Sequence, residues 1–355
     1  MQLYKEDFFS IIRLGIGQTA PFPVGIDWVK IEILANKHGL AAIIIDGIEQ
    51  LPDVSRPPKE VLLQWIGETL QNYEYRFELY QRAIAELAGW YNFHGYKMMV
   101  LKGYACSLNW PQPKHRPCGD IDIWLFGKQK EADILLAKET GVKVDASHHH
   151  HTVFDWRGFT VENHYDFVNV YADKSSKELE KTFKELGQDD SFFKDVLGEK
   201  VYMPSPNLHA LFLIRHMVSH FAAAEITLRQ VLDWAFFVVK HTKQVDWNWL
   251  MNLLEKYHMK DFFNCINAIC VEDLGFSPTL FPSVQFLPSM KDRVLNDILE
   301  PEYTAAEPKD LFKRLVYKYR RWQGNAWKQK LCYNESRWSA FWYGIWAKIL
   351  KPASI

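Results

Sequence analysis

The chain has 355 residues, a formal net charge of −1, 48% hydrophobic and 24% charged residues. That balance excludes a disordered polar chain, and near-neutrality excludes a global electrostatic pull toward nucleic acid or anionic lipid. The length exceeds what one core usually holds, so two or three structural units are expected.

The first units read as helical. Asp27 is placed to cap a helix through "DWVKIEILANKHG", with Gly39 as its stop. The "GIG" at Gly15–Gly17 follows a helix rather than a strand and reads as a turn. "RPPKE" marks a loop and a new helix start. From Leu62 to Tyr91 apolar residues recur every three or four positions, one face of a helix that would run roughly 50 Å, with a kink expected near Gly67 and an end at Gly95. The period then shortens. "YKMMVLKG" reads as a strand with a glycine stop, "DIDIWLF" as a second strand, and "KQKEADILLAKETG" as a helix closed by Gly141. "HHHHTVFDWRGFTVENHYDF" reads as two strands joined at Asp155–Gly158. After "SPNLH" the chain returns to helices, including one capped by Asp246, and a proline cluster from Pro278 to Pro288 reads as a loop. The expected division is an N-terminal helical region over 1–95, a small α/β core over 96–200 and a C-terminal helical region over 201–355.

The strand "GDIDIW" carries two acids. Residues two apart on a strand share a face, roughly 6–7 Å apart along the chain. Asp120 and Asp122 therefore point one way, while Ile121, Ile123 and Leu125 point into the core. Two carboxylates so close repel each other and resist desolvation, and a cation between them relieves both penalties. The pair alone also fits a turn cap followed by a solvent-facing edge strand. A third acid favours the metal: in "FTVENHYDF", Glu162, His164 and Asp166 share a face, and a strand beside "DIDIW" would bring Glu162 to the aspartates. Three carboxylates can hold two Mg²⁺ ions, hard cations that prefer oxygen.

The histidine run His148–His151 precedes that strand. If Phe154 pairs with Phe159, His151 lies opposite Glu162 and His149 opposite His164. This set suits either a supporting role around Glu162 or a zinc site, the latter implying a hydrolase. His209, His216 and His220 fall on one helix face, a placement more often packed against neighbours than ligating. Arg229 and Asp233 are spaced as an i,i+4 ion pair.

Taken together, "MMVLKG", "YACSLNW", "GDIDIW" and "VENH" resemble the nucleotidyltransferase superfamily, whose fold is shared with polymerase β. More narrowly the chain is similar to an uncharacterised bacterial branch reading "LKG…R..GDIDLLV…H…VELHW", over roughly residues 5–240. The resemblance implies an α+β fold, a small mixed-sheet core flanked by N-terminal and C-terminal helical regions. It implies transfer of a nucleoside monophosphate from an NTP to an acceptor, which could be a small molecule, a protein or a nucleic acid. Asp120, Asp122 and Glu162 would be catalytic and bind metal, two Mg²⁺ ions with Mn²⁺ an alternative. Lys102, Gly103, Arg116 and Gly119 would bind phosphate, and His149, His151, His164, His216 and His220 would support. One departure stands out: the superfamily usually has Gly-Ser or Gly-Gly at the turn, and here it is Gly103-Tyr104. A silent binding module of the same fold is the other reading.

The five cysteines form no CxxC pair and read as reduced thiols of a cytoplasmic protein. The opening residues lack a signal-peptide pattern, and no apolar run reaches the roughly 18 residues of a membrane span. Trp338, Phe341, Trp342, Ile345, Trp346 and Ile349, bordered by Arg337, Lys348 and Lys351, would form an aromatic helix. It would either dock on the core or contact a membrane surface or partner.

Overall fold

The computed structural model describes residues 2–148, 150–170, 175–282, 287–303 and 308–333. His149 and the aromatic segment 338–349 lie outside them.

Three helices open the chain: α1 (Gln2–Gly15), α2 (Trp28–His38) and α3 (Ala41–Glu49). Asp27 caps α2 by accepting from Lys30 N, and Gly39 closes it at φ 67°, a left-handed conformation that glycine adopts freely. α3, an apolar run that the periodicity did not single out, packs so tightly on α1 that a Cβ on Gly47 would lie 2.2 Å from the Ile11 carbonyl. α4 (Lys59–Thr69) and α5 (Arg76–Phe93) form the long helix read from the sequence. They are joined by a π-helical stretch, Leu70–Tyr75, so the irregularity falls after Gly67 rather than at it.

The sheet follows: β1 (Met99–Val100), the short α6 (Tyr104–Ser107), β2 (Ile121–Trp124), α7 (Gln129–Thr140), β3 (His151–Trp156), β4 (Phe159–His164), α8 (Ser176–Leu186), β5 (Phe193–Val196) and β6 (Glu199–Tyr202). Its six strands run in the order β3-β4-β2-β1-β6-β5. β2 is antiparallel to β1 and parallel to β4, with Asp122 beside Glu162. The β3–β4 hairpin turns through Arg157 (φ 54°) and Gly158 (φ 80°), the positive pair of a two-residue turn matched to strand twist. Its register therefore sets Phe154 against Val161 and His151 against His164, two residues from the pairing expected of the sequence. A shift of two preserves the face, so His151 still joins Glu162 and His164.

The remaining helices are α9 (Pro206–Ala223), α10 (Leu228–His241), α11 (Trp247–Lys256), α12 (Lys260–Ala268), α13 (Pro288–Leu299), α14 (Leu311–Gly324) and α15 (Ala326–Tyr333). Asp246 caps α11 through Trp249 N.

The central strand is covered on both sides. Ile121, Ile123, Leu125 and Val161 meet Tyr80, Ile84 and Leu87 of α5 and Leu136 of α7. On the opposite face Met99, Leu101 and Trp124 join a larger core with Phe183, Phe212, α1–α3 and the C-terminal helices. The fold is thus α+β, a mixed sheet flanked by helices. α7 is tied to the hairpin by Asp133, whose carboxylate accepts from Thr152 Oγ1 and Asn163 Nδ2, both at 2.7 Å. Gln129 Nε2 donates to the His164 carbonyl at 2.8 Å. These bonds fix the strand that carries Glu162.

Asp133→Ala leaves two buried donors without an acceptor, at about 1–3 kcal/mol each. A marked drop in melting temperature is expected by differential scanning fluorimetry, whereas Glu131→Ala on the exposed side of α7 should stay within about 0.5 kcal/mol of wild type.

Candidate active site

The chain makes a sharp reversal after β1. Gly103 sits at φ 57°, ψ −101°, where a Cβ would lie 2.4 Å from the Tyr80 hydroxyl. Glycine is required here by both conformation and space. The same hydroxyl donates to the Asp120 carbonyl at 2.8 Å, so α5 holds the turn after β1 against the entry to β2. Tyr104, which replaces the usual small residue, does not crowd this turn. Its ring is buried and stacks on Phe77 at 5.9 Å, and its hydroxyl accepts from Gln81 Nε2 at 2.9 Å.

A cleft of about 110 Å³ opens above the turn. Lys102, Gly103, Gly119, Asp120 and Asp122 form its floor, and His216 from α9 with Arg229 and Asp233 from α10 form its wall. Asp120 lies exposed at the mouth, while Asp122 is fully buried, at 0%. Asp122 Oδ1 is 3.0 Å from Lys102 Nζ and 3.2 Å from His164 Nε2. Its second oxygen, Oδ2, is buried with no hydrogen-bond partner among the described residues. Glu162 Oε2 lies 3.6 Å from His164 Nε2 and 3.9 Å from His151 Nδ1.

The charges answer one another. Burial opposes ionisation of Glu162, yet the bond from His164 and the Lys102 charge outweigh it and hold the carboxyl at about 2. Burial likewise works against the charge on His164, and the bonds to Asp122 and Glu162 overcome it, raising the imidazole to about 9. Lys102 is raised above the ordinary lysine value against burial by Asp122, Glu162 and Asp120. Asp120 is pushed up, first by desolvation and then by Glu162 and Asp122. Three carboxylates thus crowd around one ammonium and one imidazolium.

A divalent cation fits this donor set. Ligand atoms of Asp122, Glu162 and His164 lie within 4.8 Å of one another, the His164 nitrogen becoming a ligand once a metal displaces its proton, and Asp122 Oδ2 is an orphaned buried oxygen. Hard oxygen ligands of this kind suit Mg²⁺ or Mn²⁺.

The ion pair that spacing along α10 suggested is replaced by a longer-range one. Asp233 does not pair with Arg229. It takes Arg116 in a fork, Nε at 2.7 Å and Nη2 at 2.9 Å, and also accepts from Trp110 Nε1 at 2.8 Å. Arg116 Nη1 donates to the Pro117 carbonyl, so this guanidinium braces the cleft wall. Arg229 lines the cleft with its Nε buried and unpartnered among the described residues. Spacing along α10 could not find this, because the competing partner lies 117 residues away.

The other expected residues divide. His151 and His164 lie at the acids. His216 faces the cleft, and His220 packs beside it with ring centroids 4.3 Å apart and the planes tilted by 57°. His209 is buried against Cys106 and Phe237 and belongs to the core.

Residues 25–275 match the family described as "Uncharacterised nucleotidyltransferase". The chain belongs to this family. Searched against curated proteins, it has no match. Among solved structures it is similar to an antigenic nucleotidyltransferase-like protein from Paracoccidioides brasiliensis, at 12% identity and a TM-score of 0.33, over 50% of this chain and 87% of that one. That likeness is too slight to bear on the site. Among the described residues, no helix is long and apolar enough to cross a membrane.

Gly103→Ala is expected to cost on the order of 2 kcal/mol, from the positive φ and the Tyr80 clash. Because the clashing atom is a hydroxyl oxygen, Tyr80→Phe should recover part of that loss in the double variant, a coupling read from thermal melts of the four proteins in the cycle.

Proposed function

We propose that this protein transfers a nucleoside monophosphate from a nucleoside triphosphate to an acceptor hydroxyl, in a reaction that depends on Mg²⁺. The observation that carries this reading is the buried Asp122 carboxylate, with one oxygen held by two cationic groups and the other unpartnered, at the floor of an open cleft. Asp120, Asp122 and Glu162 would hold the metal, and Mn²⁺ fits the same donors. Bound there, Mg²⁺ supplies neutralising charge to the phosphates and Lewis acidity to an oxygen it touches.

The chain's own groups do the rest. Lys102 and Arg229 receive the phosphate oxygens: Arg116, expected from the sequence to do so, is taken up by Asp233, whereas Arg229 keeps its Nε unpartnered among the described residues. Gly103 and Gly119 let the phosphates approach the backbone closely. The carboxylates on neighbouring strands keep their places without reorganising, so catalysis rests on positioning and electrostatics. Glu162, held at about 2, is a poor proton acceptor at neutral pH and serves better as a ligand than as a base.

Thermal stabilisation is expected with ATP, GTP, CTP or UTP only when Mg²⁺ is also present, and absence of a shift with all four would sink the reading. In Asp122→Asn the turnover should fall by about 10²–10³-fold, the scale seen when one preorganised charge-stabilising group is removed. Stabilisation with undiminished binding but no pyrophosphate release from any NTP would identify a silent module instead. Arg229→Ala should fold as wild type and raise the KM for NTP roughly tenfold to a hundredfold, the worth of one charge-assisted hydrogen bond. An unchanged KM would return Arg229 to a structural role.

A further inference from the structure

A second group of close donors adjoins the carboxylates. The ligand-capable nitrogens of His150, His151 and His164 all lie within 4.8 Å of one another. Adjacent residues in a strand point to opposite faces, so His150 and His151 should not meet. They do because the ladder ends between them. β3 begins at His151, opposite His164, and the His150 carbonyl accepts from both Tyr165 N at 3.0 Å and Asp166 N at 3.1 Å. Two residues facing one is the bulge pattern, which bends the strand and re-aims a side chain. The ring centroids are 4.4 Å apart for His150–His151, 5.3 Å for His151–His164 and 5.6 Å for His150–His164.

Two features of these rings point to a ligand. Nδ1 of His150 and Nδ1 of His151 are both buried without a hydrogen-bond partner among the described residues, and His151 is only 7% exposed. His164 Nδ1 faces the Asp166 carbonyl at 3.2 Å, the outer bond that typically orients a metal-ligating histidine, and this turns Nε2 inward.

We propose that His150, His151 and His164 form a site for a borderline transition ion, Zn²⁺ foremost, beside the carboxylates that take Mg²⁺. Three imidazole nitrogens suit zinc and are poor ligands for magnesium. Glu162 Oε2, 3.9 Å from His151 Nδ1 and 3.6 Å from His164 Nε2, is placed to complete a tetrahedron. The present separations lie within 4.8 Å, against roughly 3.3 Å between ligands of a tetrahedral zinc, and rotation of the imidazoles draws them together. The two ion sites abut at Glu162, which offers a carboxylate oxygen to each, and at His164, which contacts Asp122 from its inner nitrogen. Zinc at the histidines therefore withdraws His164 from Asp122 and alters the affinity of the neighbouring site.

The test uses the full chain, stripped with a chelator and titrated with Zn²⁺ against a chromophoric competitor, and with Co²⁺ by absorption. One ion per chain with submicromolar affinity is expected, in a cobalt spectrum lacking a thiolate charge-transfer band. His150→Ala and His151→Ala should each weaken binding at least 100-fold while the metal-free melting temperature stays near wild type. His150→Gln and His151→Gln serve where an alanine variant does not fold. Absence of zinc binding below micromolar concentration, binding unchanged in the histidine variants, or a thiolate band would overturn the proposal. Stabilisation by Mg²⁺ and NTP is recorded on the same stripped protein. Its loss with zinc binding intact would count against the nucleotide reading alone, and the reverse would count against the histidine site alone.

Discussion

The site is organised around one carboxylate that has no access to water. Asp122 sits at 0% exposure in the middle of the sheet, where an isolated charge would cost several kcal/mol even after relaxation. Its counter-charges come from both neighbouring strands: Lys102 follows β1, and His164 ends β4. Strand order, register and site chemistry are therefore one constraint. A slip of one residue in β4 would send Glu162 and His164 to the other face and leave Asp122 with Lys102 alone. The bonds from Gln129 and Asp133 on α7 hold that register from the far side of the strand.

The cleft wall is built by a parallel logic. The fork from Arg116 to Asp233, joined by Trp110, ties the segment before β2 to α10 through a fully enclosed ion pair. Removing one member of such a pair is far more damaging than the pair is stabilising. Its worth is in fixing the wall, while Arg229 lines the same cleft with its Nε unpartnered among the described residues.

Much of this was legible in the amino-acid order, for local reasons. Asp27 and Gly39 bound α2 because capping is decided within a few residues. The alternation in "GDIDIW" and "VENH" placed the three acids on shared faces, since strand period is fixed by geometry alone. What escaped was decided at a distance. The hairpin register depended on a two-residue turn at Arg157–Gly158 rather than the wider one read from Asp155 to Gly158. α3, α8, α12 and the β5–β6 hairpin carried weaker patterns and owe their form to packing and to pairing with β1. The partner of Asp233 was invisible because helix spacing offers Arg229, while the fold offers Arg116 with better geometry. The histidine run fitted either a supporting role or a metal site and did not show which of its members would converge, because that hinges on β3 beginning only at His151.

The most direct measurement is a crystal structure grown with Mn²⁺ and a non-hydrolysable nucleoside triphosphate, with the ion located by its anomalous scattering. The expected result is a manganese bound to Asp122 Oδ2 and Glu162, with phosphate oxygens between it and Lys102. An ion found away from Asp122, or a nucleotide bound outside the cleft with Asp122 Oδ2 still unpartnered, would contradict the central claim.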